Sequence, residues 1–223
     1  NMNKNAYIID IESFLFPLHP SPQSLTPEKR KAIDNGHIVE ATHKILDFLQ
    51  ERNIKLTFAI VAEIYEWFPE LIEKIANEGH EIGYHGHHHR MIYNLDILEQ
   101  ELTQSKKFFD LFKPKFYQAP TIYFLKEGFP LLREAGFKYS NTVYQGMPYL
   151  VDGIVEIPVS TLRPTIQADH RYPGHMTLPL VLTNPPCGSG LFTALLPKKV
   201  LKRFYQKHQK LGLPTVTFIH DWQ

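Results

Sequence analysis

The sequence predicts an α/β fold, an irregular (β/α)7-type barrel, and three observations lead to this class. About seven short strand-like segments alternate with helix-like segments along the chain, the order typical of a parallel sheet covered by helices. The connections between most of these segments are short. Residues with chemically active side chains lie at the carboxyl ends of the strand-like segments, where such barrels gather their functional groups. A doubly wound open sheet is the structural alternative.

The first half of the chain alternates regularly after a long opening loop. A buried strand at 6–9 runs directly into the acidic triplet Asp10-Ile11-Glu12. The Pro-rich stretch 13–40 predicts a loop with a helical turn beginning at Pro27, and a loop of this length often covers a site. The elements predicted next are a helix at 42–52, a strand at 54–60 and a helix from Pro69 to a left-handed cap at Gly79.

The second half continues the same alternation and ends on a strand. The elements predicted here are a strand at 80–84, a long helix at 96–112, a strand at 115–119, a helix at 131–135, strands at 137–143 and 154–158, a helix at 197–211 and a strand at 215–219. Residues 159–195 contain five prolines and the bend Gly188-Ser189-Gly190, so they predict loops mixed with short strands.

Length and composition predict a single domain over residues 1–223. The 43% hydrophobic content is enough to bury a substantial core. Lys plus Arg total 24 and Asp plus Glu total 23, so the chain lacks the positive charge that nucleic acid or an anionic membrane attracts. A neutral or small polar substrate fits this balance better. The composition says nothing about the oligomeric state.

Other sequence features concern the compartment. The single Cys187 excludes an internal disulfide and predicts a packed thiol. No apolar stretch approaches the roughly 20 residues of a membrane span, and residues 1–6 lack the charged and apolar regions of a secretory signal. We therefore expect a cytoplasmic protein with no membrane span.

A run of histidines follows the strand predicted at 80–84. It reads His85-Gly86-His87-His88-His89-Arg90. His85 and His89 are four residues apart, so one helical turn after the strand would bring both rings to the same side, where a divalent ion could bind two nitrogens. A solvated, His-rich loop is the alternative interpretation.

The acids after the first strand supply the carboxylate that such a site needs. Asp10 and Glu12 are separated by one residue at the end of a buried strand. Carboxylates there bind a cation, act as acid or base, or cap the next element, and Glu12 and Ser13 could do the last. Together with the histidines they predict a His-His-carboxylate metal site with open positions for water and substrate.

Four segments, in order, resemble motifs of the polysaccharide deacetylases, the NodB-homology group called carbohydrate esterase family 4. The resemblance spans nearly the whole chain. The segments that resemble the first, second, third and fifth motifs are Asp10-Ile11-Glu12, Gly79 to His89, Phe116-Tyr117-Gln118-Ala119-Pro120 and Thr217-Phe218-Ile219-His220.

The resemblance implies a metal-dependent hydrolase that removes the N-acetyl group from an acetylamino sugar or glycan. It implies a divalent metal, usually zinc, bound by His85, His89 and an acid of the first motif. It also implies that Asp10 is the general base and His220 the general acid. The backbone N–H of Thr121, just after the third motif, is the matching candidate for stabilising the oxyanion together with the metal.

The chain departs from the family pattern at two site positions and lacks a clear fourth motif. Glu12 stands where the family commonly has a second Asp, and because glutamate ligates zinc at about the same oxygen distance we expect Glu12 to be the third ligand. Gln118 stands where an Arg usually orients the catalytic Asp, which should leave Asp10 more basic and less firmly held. Asp169 is the nearest candidate for the acid of the fourth motif.

Two other functions stay open at this stage. The same constellation could hydrolyse another carbon–nitrogen bond, such as that of a formamide or a cyclic amide. Alternatively, the chain could be a degenerate deacetylase domain that binds a glycan or a protein partner. Gln118 and Glu12 favour a degenerate site, whereas the intact Asp10, His85, His89 and His220 oppose it.

Overall fold

The computed structural model describes residues 5–165, 172–174 and 176–223, and its centre is one curled sheet. Over these residues eight strands lie in the order β6-β7-β5-β4-β3-β2-β1-β8. All neighbours are parallel except β6 and β7. The strands are β1 Ala6–Ile11, β2 Thr57–Ile60, β3 Glu81–Tyr84, β4 Phe116–Gln118, β5 Tyr139–Asn141, β6 Tyr149–Val151, β7 Ile154–Glu156 and β8 Val216–His220. The predicted barrel class and its seven parallel strands are confirmed.

Among the strands of the described residues, the antiparallel β6 is the one that the sequence analysis missed. It pairs with β7 across the two-residue turn Asp152-Gly153, and both turn residues have positive φ, 47° and 81°. An Asp-Gly pair favours this kind of hairpin turn because its two residues tolerate left-handed backbone. The signal was therefore present in the sequence, although β6 is only three residues long.

The gap between β7 and β8 is bridged by backbone from two loops. Ser160 N–H donates to the carbonyl of Val216 over 3.1 Å, and Gly188 N–H donates to the carbonyl of Ser160 over 2.8 Å. Phe218 N–H then donates to the carbonyl of Gly188 over 2.8 Å. A Cβ on Gly188 would lie 2.2 Å from the Val216 oxygen, so glycine is required for this close approach.

Helices cover the sheet between successive strands. In the described residues they are α1 Leu15–Leu18, α2 Pro27–Asp34, α3 His37–Glu51, α4 Ala62–Trp67, α5 Pro69–Asn77, α6 Leu95–Gln104, α7 Lys106–Phe112, α8 Phe129–Glu134, α9 Leu178–Thr183, α10 Gly190–Leu195 and α11 Lys198–Lys210. Helix α3 shows why they form, since its buried residues Ile38, Thr42, Leu46 and Leu49 recur at helical spacing and make one buried, mainly apolar face.

Three helix predictions need correction. The stretch 13–40 is not a loop with a single turn, because it contains α1, α2 and the start of α3. Thr26 caps α2 by accepting from Lys29 N–H, and Pro27 provides a first helical residue with a fixed φ. The long helix predicted at 96–112 is divided at Ser105 into α6 and α7. The described part of 159–195 holds helices α9 and α10 rather than short strands.

The core is aromatic and lies between the sheet and its helices. Tyr84, Tyr117, Phe124 and Phe137 are almost completely buried, and Tyr84 packs on Phe137 with 5.8 Å between the ring centroids. Trp67 is 5% exposed, so Tyr84, Phe124 and Trp67 all serve in core packing. Cys187 is buried and free, as predicted. No helix in the described part of the chain is long and apolar enough to cross a membrane.

Candidate active site

The carboxyl ends of four parallel strands converge on one cavity. Strand β1 ends in the segment that carries Asp10 and Glu12, β3 leads into His85, β4 ends at Gln118 and β8 ends at His220. The parallel register pairs Asp10 with His220 on neighbouring strands, so their side chains start from the same edge of the sheet. The structure thus brings together residues that are up to 210 positions apart in the chain.

Glu12, His85 and His89 form a cluster suited to one metal ion. The possible ligand atoms of all three lie within 4.8 Å of one another. Glu12 Oε2 is 2.7 Å from His89 Nε2 and 3.4 Å from His85 Nε2. His85 Nδ1 lies 2.9 Å from the carbonyl oxygen of Gln118, which leaves Nε2 for a ligand. Two imidazoles and one carboxylate are a donor set that fits catalytic zinc.

Two partners fix Glu12 itself. The indole N–H of Trp222 donates to Glu12 Oε1 over 3.1 Å, so Oε2 is the oxygen that faces the histidines. Asp221 Oδ1 accepts the backbone N–H of Glu12 over 3.1 Å. Trp222 and Asp221 directly follow the fifth-motif histidine, but no local pattern indicates that they contact the residue after the first strand.

The histidine loop does not make the predicted helical turn. The segment from His85 to Tyr93 is irregular. The positive φ of Gly86 (81°) and His89 (55°) turns the backbone so that the ring centroids of His85 and His89 lie 4.8 Å apart. The carboxylate of Glu101 stabilises this backbone conformation. Its Oε2 accepts the backbone N–H of His87 over 2.6 Å and that of His88 over 2.9 Å. The four-residue spacing correctly predicted that the rings of His85 and His89 lie together. The buried Glu101 on α6, however, determines the backbone path of the loop.

Asp10 lies beside the cluster in a different environment. It is 1% exposed, its Oδ2 accepts from Gln118 Nε2 over 2.7 Å, and the same oxygen is 3.8 Å from His220 Nε2. Burial raises the pKa of Asp10 well above its usual value, an effect that His85 opposes and Glu12 reinforces. Burial also disfavours the ionised form of Glu12, but His89 and His85 hold the pKa of that carboxyl well below its usual value.

The surroundings therefore favour the ionised form of Glu12, as a metal ligand requires, and the protonated form of Asp10, as a group that takes up a proton requires.

His220 is held at the rim of the cavity. Its ring stacks on Trp222 with a centroid distance of 4.7 Å, and Nδ1 lies 3.1 Å from Gln223 Oε1. Nε2 faces the two acids, 3.5 Å from Glu12 Oε1. Burial lowers the pKa of His220 and Glu12 partly restores it. The arrangement points Nε2 into the cavity, where an acid catalyst would need it.

Thr121 follows Gln118 in a turn of unusual backbone. Thr121 and Ile122 have positive φ, 57° and 53°, which is uncommon for β-branched residues and typical of functional sites where the surroundings enforce it. The hydrogen bonds of the turn are donated by Ile122 and Tyr123 N–H, so the turn does not use the N–H of Thr121. Thr121 also lines the cavity.

The cavity has a volume of about 280 Å³ and two kinds of wall. One wall carries the acids and histidines. The rest is mainly apolar and includes residues to which the sequence analysis assigned no role in the site, namely Pro17, Ala119, Ile122, Tyr144, Met176, Leu191, Phe218 and Trp222. Ser189 is also in the lining. Several come from loops far apart in the sequence, so no local pattern marks them. Asp169, the candidate for the fourth motif, lies outside the described residues.

Comparison with known proteins agrees with the motifs. Residues 31–139 match the family profile "Polysaccharide deacetylase". The matched segment is a polysaccharide deacetylase domain. A Bacillus cereus peptidoglycan-N-acetylglucosamine deacetylase is 36% identical over 92 residues, which cover 39% of this chain and 34% of that protein. The matches cover between 21% and 51% of the curated relatives' lengths.

Solved structures show that the deacetylase fold extends over the whole chain. A Mycobacterium smegmatis protein assigned to the polysaccharide deacetylases superposes with a TM-score of 0.66 at 18% identity, covering 100% of this chain and 79% of that one. The Puue allantoinase superposes with a TM-score of 0.59 at 14% identity, covering 97% and 77%. At these identities the likeness concerns the fold alone.

Proposed function

We propose that residues 1–223 form a single catalytic domain, a metal-dependent hydrolase that removes the N-acetyl group from an acetylamino sugar or glycan. One observation carries this proposal: Glu12, His85 and His89 cluster beside Asp10 and His220 in the same cavity. A carbohydrate substrate is supported by the family and by the curated relative whose name specifies peptidoglycan N-acetylglucosamine. The near-neutral charge of the chain is compatible with an uncharged glycan.

Glu12, His85 and His89 would bind the metal, and zinc suits their nitrogen and oxygen donors best. A bound zinc ion supplies Lewis acidity toward the amide carbonyl and lowers the pKa of water. The contacts from Trp222 and Asp221 keep Glu12 oriented, and the contact between His85 Nδ1 and the Gln118 carbonyl orients the imidazole.

The remaining residues would move protons and stabilise charge. Asp10 Oδ1 has no hydrogen-bond partner among the described residues, so this oxygen is available to accept a proton from the attacking water. The N–H of Thr121 would donate to the oxyanion of the tetrahedral intermediate. His220 Nε2 would protonate the departing amine, which is a poor leaving group unless it is protonated.

Metal content and acetate release together test the proposal. Protein purified without a histidine tag should contain about one divalent ion per chain and release acetate from at least one member of a panel of N-acetylated sugars and glycans. His89→Ala should abolish both the metal and the release. His43→Ala is the matched control because this histidine is exposed on α3, away from the cavity.

The same assay distinguishes the alternatives. Formate release without acetate release would support hydrolysis of another carbon–nitrogen bond. The presence of Gln118 beside Asp10, where the family usually has an Arg, favours a degenerate binding domain as the second candidate. A metal-free wild-type protein with no release from any substrate would replace the proposed function with that one.

A further inference from the structure

Ser189 lies in the cavity wall next to the candidate acid catalyst. It immediately precedes helix α10, is 1% exposed and lines the cavity. The following residue, Gly190, packs its backbone against His220, since a Cβ there would lie only 2.9 Å from His220 Nδ1. Ser189 therefore sits on the same side of the cavity as His220, where the leaving amine would be protonated.

The hydroxyl of Ser189 has no hydrogen-bond partner among the described residues. The backbone of Ser189 is fully used, because its N–H donates to the Pro186 carbonyl over 2.9 Å and its carbonyl accepts from Thr193 N–H over 3.0 Å. The hydroxyl does not cap α10 either. A buried hydroxyl without a partner costs free energy, so such groups are usually satisfied by water or by a ligand.

Other buried oxygens without a hydrogen-bond partner in the described residues differ from the Ser189 hydroxyl. Asp10 Oδ1, Glu12 Oε2 and Gln118 Oε1 lie in the same lining, but all three belong to the constellation that the proposed reaction already uses. Asn141 Oδ1 also lacks a partner, but Asn141 does not line this cavity. Ser189 is thus a buried polar group in the cavity wall to which the proposed proton transfers assign no task.

We propose that the Ser189 hydroxyl binds a neutral polar group on the amine side of the substrate, namely the sugar hydroxyl adjacent to the acetylamino carbon. This inference rests on the proposed function. A serine hydroxyl both donates and accepts, which matches a sugar hydroxyl. Its neighbours in the wall, Leu191 and Phe218, are apolar and offer no countercharge, so a neutral group fits better than a charged one.

The test compares Ser189→Ala with wild type on two substrates, an N-acetylhexosamine glycan that wild type deacetylates and its analogue lacking that hydroxyl. Loss of one neutral hydrogen bond should lower kcat/KM for the first substrate about 3- to 10-fold, mainly through KM. The analogue should be processed equally by both proteins. Ser189→Thr, which keeps a hydroxyl, should restore most of the loss. Metal content and thermal unfolding should match wild type.

Thr193→Val is the matched control, because it perturbs the same helix and the carbonyl of Ser189 without removing a group from the cavity lining. Equal kcat/KM values for Ser189→Ala and wild type on both substrates would overturn the inference. An equal loss on both substrates would also overturn it, since the effect would then not depend on the sugar hydroxyl.

Failure of the proposed function has a different signature. Wild type would then release neither acetate nor formate from any substrate. In that case calorimetric binding of the free amino sugar and its deoxy analogue to metal-loaded protein still tests Ser189. Weaker binding of the amino sugar by Ser189→Ala, with no change for the analogue, supports the inference. No difference between the two proteins, or no binding by either, contradicts it.

Discussion

Asp10 and Glu12 are two residues apart, yet tertiary contacts separate their roles. Glu12 faces His89 and His85, whereas Asp10 contacts Gln118 and carries a free Oδ1. The pKa of Glu12 is lowered by the histidines while burial raises that of Asp10. A metal ligand must be ionised and a base must take up a proton, so this difference agrees with the proposed division.

Asp10→Asn should leave the metal bound but reduce turnover at least 100-fold, roughly the lower end of a general-base contribution. The amide preserves the shape of the side chain but cannot accept the water's proton at neutral pH. Metal content by atomic emission and steady-state acetate release measure the two effects. Near-normal turnover would exclude Asp10 as the base. Loss of the metal would instead make it a ligand.

Gln118 stands where the resemblance to the deacetylase motifs implies an Arg. Its amide reaches Asp10 over 2.7 Å, but it brings no charge and offers a single hydrogen bond to that carboxylate. We expect Gln118→Arg to raise kcat, since a guanidinium would orient Asp10 through two charge-assisted bonds and the cavity borders this position. Gln118→Lys is the control, because lysine adds a positive charge without the planar guanidinium that can make two hydrogen bonds to one carboxylate. Unchanged or lower kcat in the Arg variant would contradict the expectation.

At the scale of elements, α6 holds the loop that carries both candidate ligand histidines. Glu101 on this helix is completely buried, and besides two loop N–H groups it accepts from Arg90 Nε over 2.6 Å. Although burial opposes ionisation, hydrogen bonds from His88 and Arg90 hold the pKa of Glu101 at about 2. The carboxylate of Glu101 therefore stays ionised at any pH well above 2, and its hydrogen bonds can hold the loop over that whole pH range.

Glu101→Gln should weaken zinc affinity about 10- to 100-fold, the usual effect of losing a partner that orients metal ligands. The cause is that an amide replaces one acceptor oxygen with a donor, so one of the loop contacts is lost. Competition with a chromophoric chelator measures the affinity at a temperature where the variant is folded. Glu99→Gln, exposed on the same helix, should bind zinc like wild type. Equal affinities for both variants would show that the loop holds its shape without Glu101.

The accuracy of the element predictions followed the length and regularity of the signals. The parallel strands and α11 were found because alternation and helical spacing are local properties of the sequence. The break at Ser105 was missed because the apolar spacing continues through it. The local sequence does not mark the break, which coincides with side-chain contacts to distant residues. Ser105 Oγ donates to Tyr84 Oη over 2.9 Å and lies 3.1 Å from His87 Nδ1.

At the scale of the whole molecule, we expect the buried acid Glu156 to make stability depend on pH. Glu156 is completely buried at the end of β7 and accepts from Thr142 N–H over 2.7 Å. Burial raises the pKa of Glu156 to about 7, although hydrogen bonds from Ser140 and Thr142 oppose the shift. In the unfolded chain the same carboxyl titrates at its ordinary value of 4.5.

Because the folded state holds this proton more tightly, the contribution of Glu156 to stability is complete below about pH 4.5 and is lost as pH rises through about 7. Wild type should therefore lose free energy of unfolding over this interval relative to Glu156→Gln, whose side chain does not titrate. Urea denaturation at a series of pH values measures the difference. A constant difference between the two proteins from pH 4.5 to 8 would contradict the assignment.

The sequence by itself determined the barrel class, the parallel strands, the family and the positions of Asp10, His85, His89, Gln118 and His220. The barrel class and the strands follow from local periodicity, and from the rule that parallel strands present their carboxyl ends at one edge. The family, and with it the roles expected of Gln118 and His220, comes from the resemblance of four segments to deacetylase motifs. The tertiary structure decided which oxygen of Glu12 faces the histidines, how the histidine loop runs and where Ser189 lies. Each of these depends on contacts between distant segments, such as the 210 positions that separate Glu12 from Trp222, and no local pattern encodes such a contact.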